Sequence, residues 1–411
     1  MISIDEALAS VLERACPNGA ARMGLQRAVD LALAEDIRFD MDSPPYDKAL
    51  MDGYAVRAAD VADSTVRLEV VARITAGSVP RITLRAATAA RIMTGAPLPQ
   101  GADAVVMIER TTSGDGARGA WVRIDGPPVV AGQNILRRGL SARRGEVLLR
   151  RGHRLRPRDV GVLCEAGRTA VRVIRPPRVA VLATGDELVP PGVVPGAGRI
   201  RNTNGPLLAA LARQLHAQCA TLPICRDDRR SLDQAIRAGL DHDVLLLSGG
   251  VSTGDLDLVP AALRDAGAQC VFHKVHLKPG KPLWFGVREQ RAHTTHVFGL
   301  PGNPVGCLVC FRLFVRPLIQ TLLGIEPTDR RTIAATLACA YEQLWDRPTY
   351  YPVVVAARDE GPPCVTPIRW QGSADQRAIA RADGLALFPP GRRSYPAGYP
   401  VDILLLEEKQ A

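Results

Sequence analysis

The sequence predicts a multidomain protein of the α/β plus β class, with a central α/β domain on a parallel sheet and β-rich units around it. Three observations predict this. At roughly 150 residues per domain, 411 residues make about three domains. Between 178 and 326, apolar strand-like runs alternate with helical segments, the grammar of βαβ units. Two other stretches, 54–135 and 327–411, read as short strands between Gly and Pro turns.

In chain order, residues 3–15 and roughly 25–36 ("LQRAVDLALAED") have helical periodicity, and Pro44 and Pro45 halt the second helix. "VRLEVVARI", "ARIMTGAPLP", "ADAVVMIER" and "AWVRIDG" then supply the strands of the first β-rich unit. "GDGARG", Gly114 to Gly119, matches G-x-G-x-x-G but opens no helix, so it reads as a hairpin turn rather than a dinucleotide site. A mixed stretch, 136–177, ends near Pro176. Beyond it come the strand "RVAVLATGDEL", the helix "NGPLLAALARQLHAQ" with Asn204 as cap and Pro206 near its start, and the strands "DVLLLSGGVSTGD" and "HVFGLPGNP". A long apolar helix follows through "LVCFRLFVRPLIQTLLG", and the chain returns to strands that end in "VDILLLEE".

Composition narrows the function. The net charge of +10 permits an anionic partner, but aromatics are only 4% and the arginines are dispersed, which argues against nucleic acid. No apolar run approaches the roughly 18 residues of a membrane span, so no membrane is expected. The first helix carries Asp5, Glu6 and Glu13, unlike the basic then apolar order of a secretory signal, which sets a cytoplasmic expectation. Nine scattered cysteines make no disulfide framework, and Cys307 and Cys310 read as small buried residues of an apolar helix. "HKVH" and "HTTH" lie near strands, where residues three apart point to opposite faces, so neither reads as a metal site.

Three strands each end in a loop of glycine and small polar residues, the place where α/β sheets bind ligands. One loop holds Ser248, Gly249, Gly250, Ser252, Asp255 and Asp257; another holds Thr184, Gly185, Asp186 and Glu187; "CRDDRR" adds Asp227 and Asp228. Carboxylates beside phosphates call for a hard divalent ion, typically magnesium. "HKVHLKPGKP" brings Lys274, Lys278 and Lys281, enough cations for a phosphate or a tetrahedral oxyanion. A rival reading takes "GVSTG" as a nucleophile elbow, with Ser252 served by one of His273, His276, His293 or His296 and an acid such as Asp265. Against it, two acids beside Ser252 would oppose a developing oxyanion.

Eight ordered motifs resemble one family over essentially the whole chain, the molybdopterin molybdenumtransferases (MoeA and the E domain of gephyrin): "PPYDKALMDGYAV", "RIMTGAPLPQGADAVVMIE", "GQNI", "TGDEL", "IRNTNGPLL", "SGGVSTGDLD", "KPGKP" and "GLPGNPVG". The resemblance implies that molybdate is placed on the dithiolene of adenylated molybdopterin and that AMP is released, completing molybdenum cofactor synthesis with magnesium as the ion. It implies a homodimer whose cleft lies between the α/β domain of one chain and the β domain of the other. A molybdopterin adenylyltransferase and apo-molybdoenzymes are the further partners it implies. It also implies a split N-terminal domain (1–53 and 136–177), a β-rich domain (54–135), the molybdopterin-binding α/β domain (178–326) and a C-terminal β-barrel-like domain (327–411).

By the same resemblance Asp52 and Thr94 face the cleft, and Glu187, Asp227 and Asp257 hold magnesium or orient water. Lys274 and Lys278 bind phosphate or molybdate, and Ser373, with Thr184, Gly185, Ser248, Gly249, Gly250, Ser252, Lys281 and Pro301, completes the substrate contacts. The chain departs from the family pattern after "GQNI", where Leu140 and Ser141 stand in place of Glu-Asp; Asp255 stands where many members have Glu, and Lys48 and Ala49 are unusual in the PPYD segment. A noncatalytic pterin-binding or scaffold protein of the same fold remains the alternative, and the sequence does not choose molybdate over tungstate.

Overall fold

The computed structural model describes residues 1–62, 66–117, 119–250, 258–290, 293–327 and 332–406. The chain divides into two compact units. One comprises Met1–Arg22, Asp30–Ala34 and Arg172–Ala411; the other comprises Met23–Val29 and Glu35–Val171.

The first unit opens with α1 (Ile4–Leu12), capped by Ser3, whose hydroxyl accepts from the Glu6 amide while Glu6 returns a bond to the Ser3 amide. The helix expected over 25–36 is a single turn, Leu25–Ala28. Asp30 takes a positive φ of 68°, and the chain then runs extended, with Leu33 bridging Val173. Pairing with a strand more than 130 positions away overrode the local apolar period.

In the second unit six strands form one sheet: β1 (Gly53–Val56), β2 (Arg67–Ile74), β3 (Thr88–Ile92), β4 (Ala104–Met107), β5 (Thr111–Gly116) and β6 (Gly119–Ile124). Their spatial order is β4-β1-β3-β2-β6-β5. Separate apolar clusters pack on it, one around Tyr54, Leu68 and Val122, the other around Ala55, Ile74 and Ile92. β5 and β6 pair antiparallel down to Gly116 and Gly119, so the glycine-rich match there is a hairpin, as the sequence predicts.

The α/β part of the first unit contains β7 (Arg178–Ala183), α2 (Asn204–Gln214), β8 (Gln218–Thr221), α3 (Arg229–Gly239), β9 (Val244–Ser248), α4 (Leu258–Asp265), β10 (Gln269–His273), β11 (Trp284–Gln290) and β12 (His293–Leu300). The sheet order is β8-β7-β9-β12-β11-β10. The first four strands are parallel, β11 runs antiparallel to β12, and β10, antiparallel to β11, runs in the same direction as the first four. β9 lies at the middle with Val244 through Leu247 fully buried, as a strand covered on both faces must be. Register levels the strand ends: Ala183 is opposite Ser248, and Ser248 opposite Leu300.

The apolar segment after β12 forms α5 (Pro304–Leu322). By length and composition it could cross a membrane, which corrects the expectation that no run approaches that length, but 89% of it is buried inside the protein. Cys307 and Cys310 are among its buried residues. The chain ends in a closed five-stranded barrel built from β13 (Thr332–Leu337), β14 (Thr349–Ala356), β15 (Cys364–Pro367), β16 (Gly384–Phe388) and β17 (Pro400–Leu405), in the order β13-β15-β14-β16-β17. Val353, Val365, Phe388 and Ile403 fill its interior.

Candidate functional site

Because β7, β9 and β12 are adjacent and level, the three loops that leave them meet at one edge of the sheet. A cavity of about 510 Å³ opens there, lined by Thr184, Glu187, Asn202, Asn204, Ser248 and Gly249 among others. Thr184 and Ser248 are nearly buried, and the Thr184 amide donates to the Ser248 carbonyl oxygen at 3.0 Å. The Thr184 hydroxyl donates to Asp227, which ties that carboxylate to the end of β7. Gly249 has φ +98°, and a Cβ there would strike the Thr184 carbonyl oxygen, so this crossing of two loops needs glycine.

Asn204 behaves differently from the expected helix cap. The cap position is Thr203, and the Asn202 side chain accepts from the Gly205 amide at 3.0 Å. The Asn204 amide group instead donates to Ser248 Oγ and to the Gly302 carbonyl oxygen, both at 2.7 Å, bracing the β9 and β12 loops together. Its Oδ1 is buried without a partner, an acceptor that a ligand donor could satisfy. Glu187 folds back over Gly185, where an added Cβ would lie 2.7 Å from the Glu187 Cδ.

A second cavity, about 910 Å³, adjoins the first and shares Glu187, Ile200, Gly302 and Asn303 with it. Lys278, Lys281, Pro301 and Ser373 line it, as does a wall of Tyr341, Trp345, Tyr351 and Trp370. The Lys278 ammonium rests over the Trp345 ring. Burial, assisted by the Arg347 charge, pulls its pKa down to about 8. Arg347 is anchored through Nη1 to the Leu277 carbonyl oxygen at 2.8 Å.

The structure thus brings Thr184, Glu187, Ser248, Gly249, Lys278, Lys281, Pro301 and Ser373 to two adjoining cavities. Asp227 joins through Thr184, whereas Lys274 lines neither cavity. Ser252, Asp255 and Asp257 lie outside the described residues. Of the partners named for a Ser252 elbow, Asp265 pairs with Arg229, His296 Nε2 lies 2.9 Å from the Arg14 carbonyl oxygen, and His293 Nε2 lies 3.0 Å from the His242 carbonyl oxygen. In the second unit, Thr94 donates through both its amide and its hydroxyl to Asp52 Oδ1, each at 2.7 Å. Those bonds, with a smaller contribution from Arg91, hold the Asp52 carboxyl below its ordinary pKa. Sequence reasoning missed Asn202, Arg347 and the aromatic wall, and read Asn204 only as a helix cap. The doubled asparagine of "RNTNG" before an apolar helix was the available signal for both asparagines.

Among described residues no cluster of three or more His, Cys, Asp or Glu could hold a metal by itself. The cavities therefore combine backbone and amide donors, two carboxylates and several cations, a set suited to a phosphorylated substrate and an oxyanion.

Comparison with known proteins places this geometry. Residues 2–167 match the family model described as the MoeA N-terminal region (domain I and II), 180–321 the one described as "Probable molybdopterin binding domain", and 334–406 the MoeA C-terminal region (domain IV). A molybdopterin molybdenumtransferase of Staphylococcus aureus is 33% identical over 100% of this chain and 97% of its own. The enzyme of the same name from Staphylococcus epidermidis is 32% identical over 99% and 96%. Two crystal structures of molybdopterin biosynthesis MoeA proteins from Pyrococcus horikoshii align with TM-scores of 0.84 and 0.75, at 32% and 27% identity, covering 99% and 98% of this chain and 100% of each of theirs.

Proposed function

This chain belongs to the MoeA family of molybdopterin molybdenumtransferases, which act in molybdenum cofactor biosynthesis, and we propose from that premise that it inserts molybdate into adenylated molybdopterin with release of AMP. The observation that carries the reading is the pair of adjoining cavities, one rich in amide donors at three level strand ends, the other holding Lys278 and Lys281. The first would take the phosphate side of the substrate, where the Gly249 backbone allows close approach and the start of α2 favours negative charge. Asn204 would receive a substrate N–H or O–H at its orphaned oxygen. In the second, the two lysines and Arg347 would hold a tetrahedral dianion, and the aromatic wall would exclude water from it.

Magnesium fits the donor set. Glu187 and Asp227 flank the end of β7, and an ion held by one or two carboxylates takes its remaining oxygens from phosphate and water. When bound it would neutralise phosphate charge. The chain's own groups do the rest: Thr184 fixes the Asp227 carboxylate, and Asp257, with Asp227, would orient the hydrolytic water. Asp52 and Thr94, joined by two hydrogen bonds, would face the same substrate from the β-rich unit of a partner chain in a cytoplasmic homodimer. A molybdopterin adenylyltransferase would supply the substrate, and apo-molybdoenzymes would take the product. The test is AMP release from adenylated molybdopterin with and without molybdate and magnesium: dependence on both supports the reading, and tight binding with no AMP would favour a noncatalytic pterin-binding protein.

A further inference from the structure

In the proposed reaction the first cavity takes the phosphate side of the substrate, yet the Gly249 backbone and the start of α2 bring it no full positive charge. Its cations come from one stretch of sequence, "GRIRN", Gly198 to Asn202. Arg199 and Arg201 line the cavity, and Glu187 is the one acid that does so among the described residues. Lys278 and Lys281 belong to the other cavity.

The stretch is fastened beside Glu187. Ile200 and Arg201 pair in parallel with Leu188 and Val189. The Ile200 amide donates to the Glu187 carbonyl oxygen and the Asn202 amide to the Val189 carbonyl oxygen, both at 2.8 Å. Asn202 is buried, and its side chain accepts from the Gly205 amide, so the backbone is held on both sides of the arginines. In extended chain, residues two apart point to the same side, and Arg199 and Arg201 therefore leave the backbone together. Arg201 Nε donates to the Val193 carbonyl oxygen at 3.0 Å, which orients the guanidinium and leaves its terminal nitrogens without a partner among the described residues. The Arg199 side chain has no partner among them either. Neither arginine pairs with Glu187, which leaves that carboxylate for a metal and the guanidiniums for an anion. Two guanidiniums on one wall repel each other, and an anion between them turns that repulsion into attraction.

Adenylation of a pterin phosphate creates a diphosphate, two anionic centres in a row, and a guanidinium fork matches each of them. We propose that Arg199 and Arg201 form a diphosphate clamp on the wall of the first cavity, so that this site selects an adenylated, diphosphate-linked substrate over a monophosphate. The inference rests on the reading of that cavity as the phosphate side of the substrate.

Isothermal titration of the full-length chain with ADP, AMP and adenosine at constant magnesium tests it, ADP standing in for the diphosphate half of the substrate. The natural protein is expected to bind ADP roughly tenfold more tightly than AMP, and AMP more tightly than adenosine. Arg199→Met, at an exposed position, is expected to weaken ADP about tenfold and bring it close to AMP, with part of the preference restored in Arg199→Lys. A merely structural role would weaken both nucleotides alike and leave their ratio unchanged. Arg237→Met, an exposed arginine on α3, should leave every titration as it was. Equal affinity for ADP and AMP in the natural chain, a ratio that survives Arg199→Met, an equal loss in Arg237→Met, or no saturable heat up to about 10 mM ADP each overturns the clamp. AMP release from adenylated molybdopterin by the same proteins separates the two readings. Natural release with an unchanged apparent KM in Arg199→Met overturns the clamp and leaves the reaction standing. No release by the natural chain, with the ADP preference still lost in Arg199→Met, overturns the reaction and supports the clamp.

Discussion

Lys278 gives the sharpest test of the oxyanion cavity. Its ammonium lies against Trp345, and burial together with Arg347 lowers its pKa from 10.5 to about 8. If that ammonium holds the dianion, binding must weaken over a range where an ordinary lysine stays charged. At pH 7 the side chain is about nine-tenths protonated, and at pH 9 about one-tenth, so molybdate affinity should fall roughly tenfold between them, less whatever the bound anion does to raise the pKa. Lys278→Arg keeps its charge throughout and should flatten the profile, while Lys278→Met should bind weakly at both pH values. Isothermal titration of molybdate across pH 6.5–9.5 reads the effect. A linked consequence concerns stability. With the folded pKa below the unfolded one, the unfolded chain binds more protons between about 8 and 10.5, so this lysine makes the fold more stable as pH rises through that window. An affinity that is flat from pH 7 to 9 in the natural protein, or a decline that persists in Lys278→Arg, would refute the assignment.

Other consequences follow from single contacts. Thr184→Val removes the bond that fixes Asp227 from a nearly buried site and should cost about 1–2 kcal/mol in urea denaturation, with a larger proportional loss of AMP release. Gly249→Ala forces a side chain into a left-handed conformation against the Thr184 carbonyl and should lower stability by more than about 1 kcal/mol, with weaker adenylated-pterin binding. Burial of Asp243 opposes its ionisation, but Arg175 and the Arg178 amide outweigh it and hold the carboxyl below its ordinary value. Its contribution should therefore be present above the unfolded carboxylate pKa and lost as pH falls through the lower folded one, and Asp243→Asn should flatten the acid limb of a stability–pH curve.

What the sequence revealed and what it hid have physical reasons. Three of the four parallel strands, β7, β9 and β12, were legible because a strand buried on both faces is a continuous apolar run, as in Val244–Leu247, and each ended in a glycine-bearing loop that marks a ligand edge, whereas β8, half-exposed and without such a loop, was not read. Lys278 and Lys281 were legible as cations beside that edge. Their aromatic surroundings were not, since Tyr341, Trp345, Tyr351 and Trp370 come from the C-terminal barrel segment, and no local pattern reports which side chains meet across that distance in the chain. Asn204 was misread because asparagine is a good helix cap in isolation; only the neighbouring Ser248 and Gly302 loops show why its amide is used elsewhere. The 25–36 segment failed for a related reason: its apolar residues fit a helix, yet long-range pairing of Leu33 with Val173 took them.

The most direct test of the central claim, that the cavities at the level strand ends carry the chemistry, is a single-turnover measurement of AMP release by Lys278→Met/Lys281→Met protein loaded with adenylated molybdopterin, molybdate and magnesium. The account predicts that the variant binds the pterin yet loses molybdate-dependent AMP release. AMP released at the natural rate, with molybdenum in the product, would contradict it.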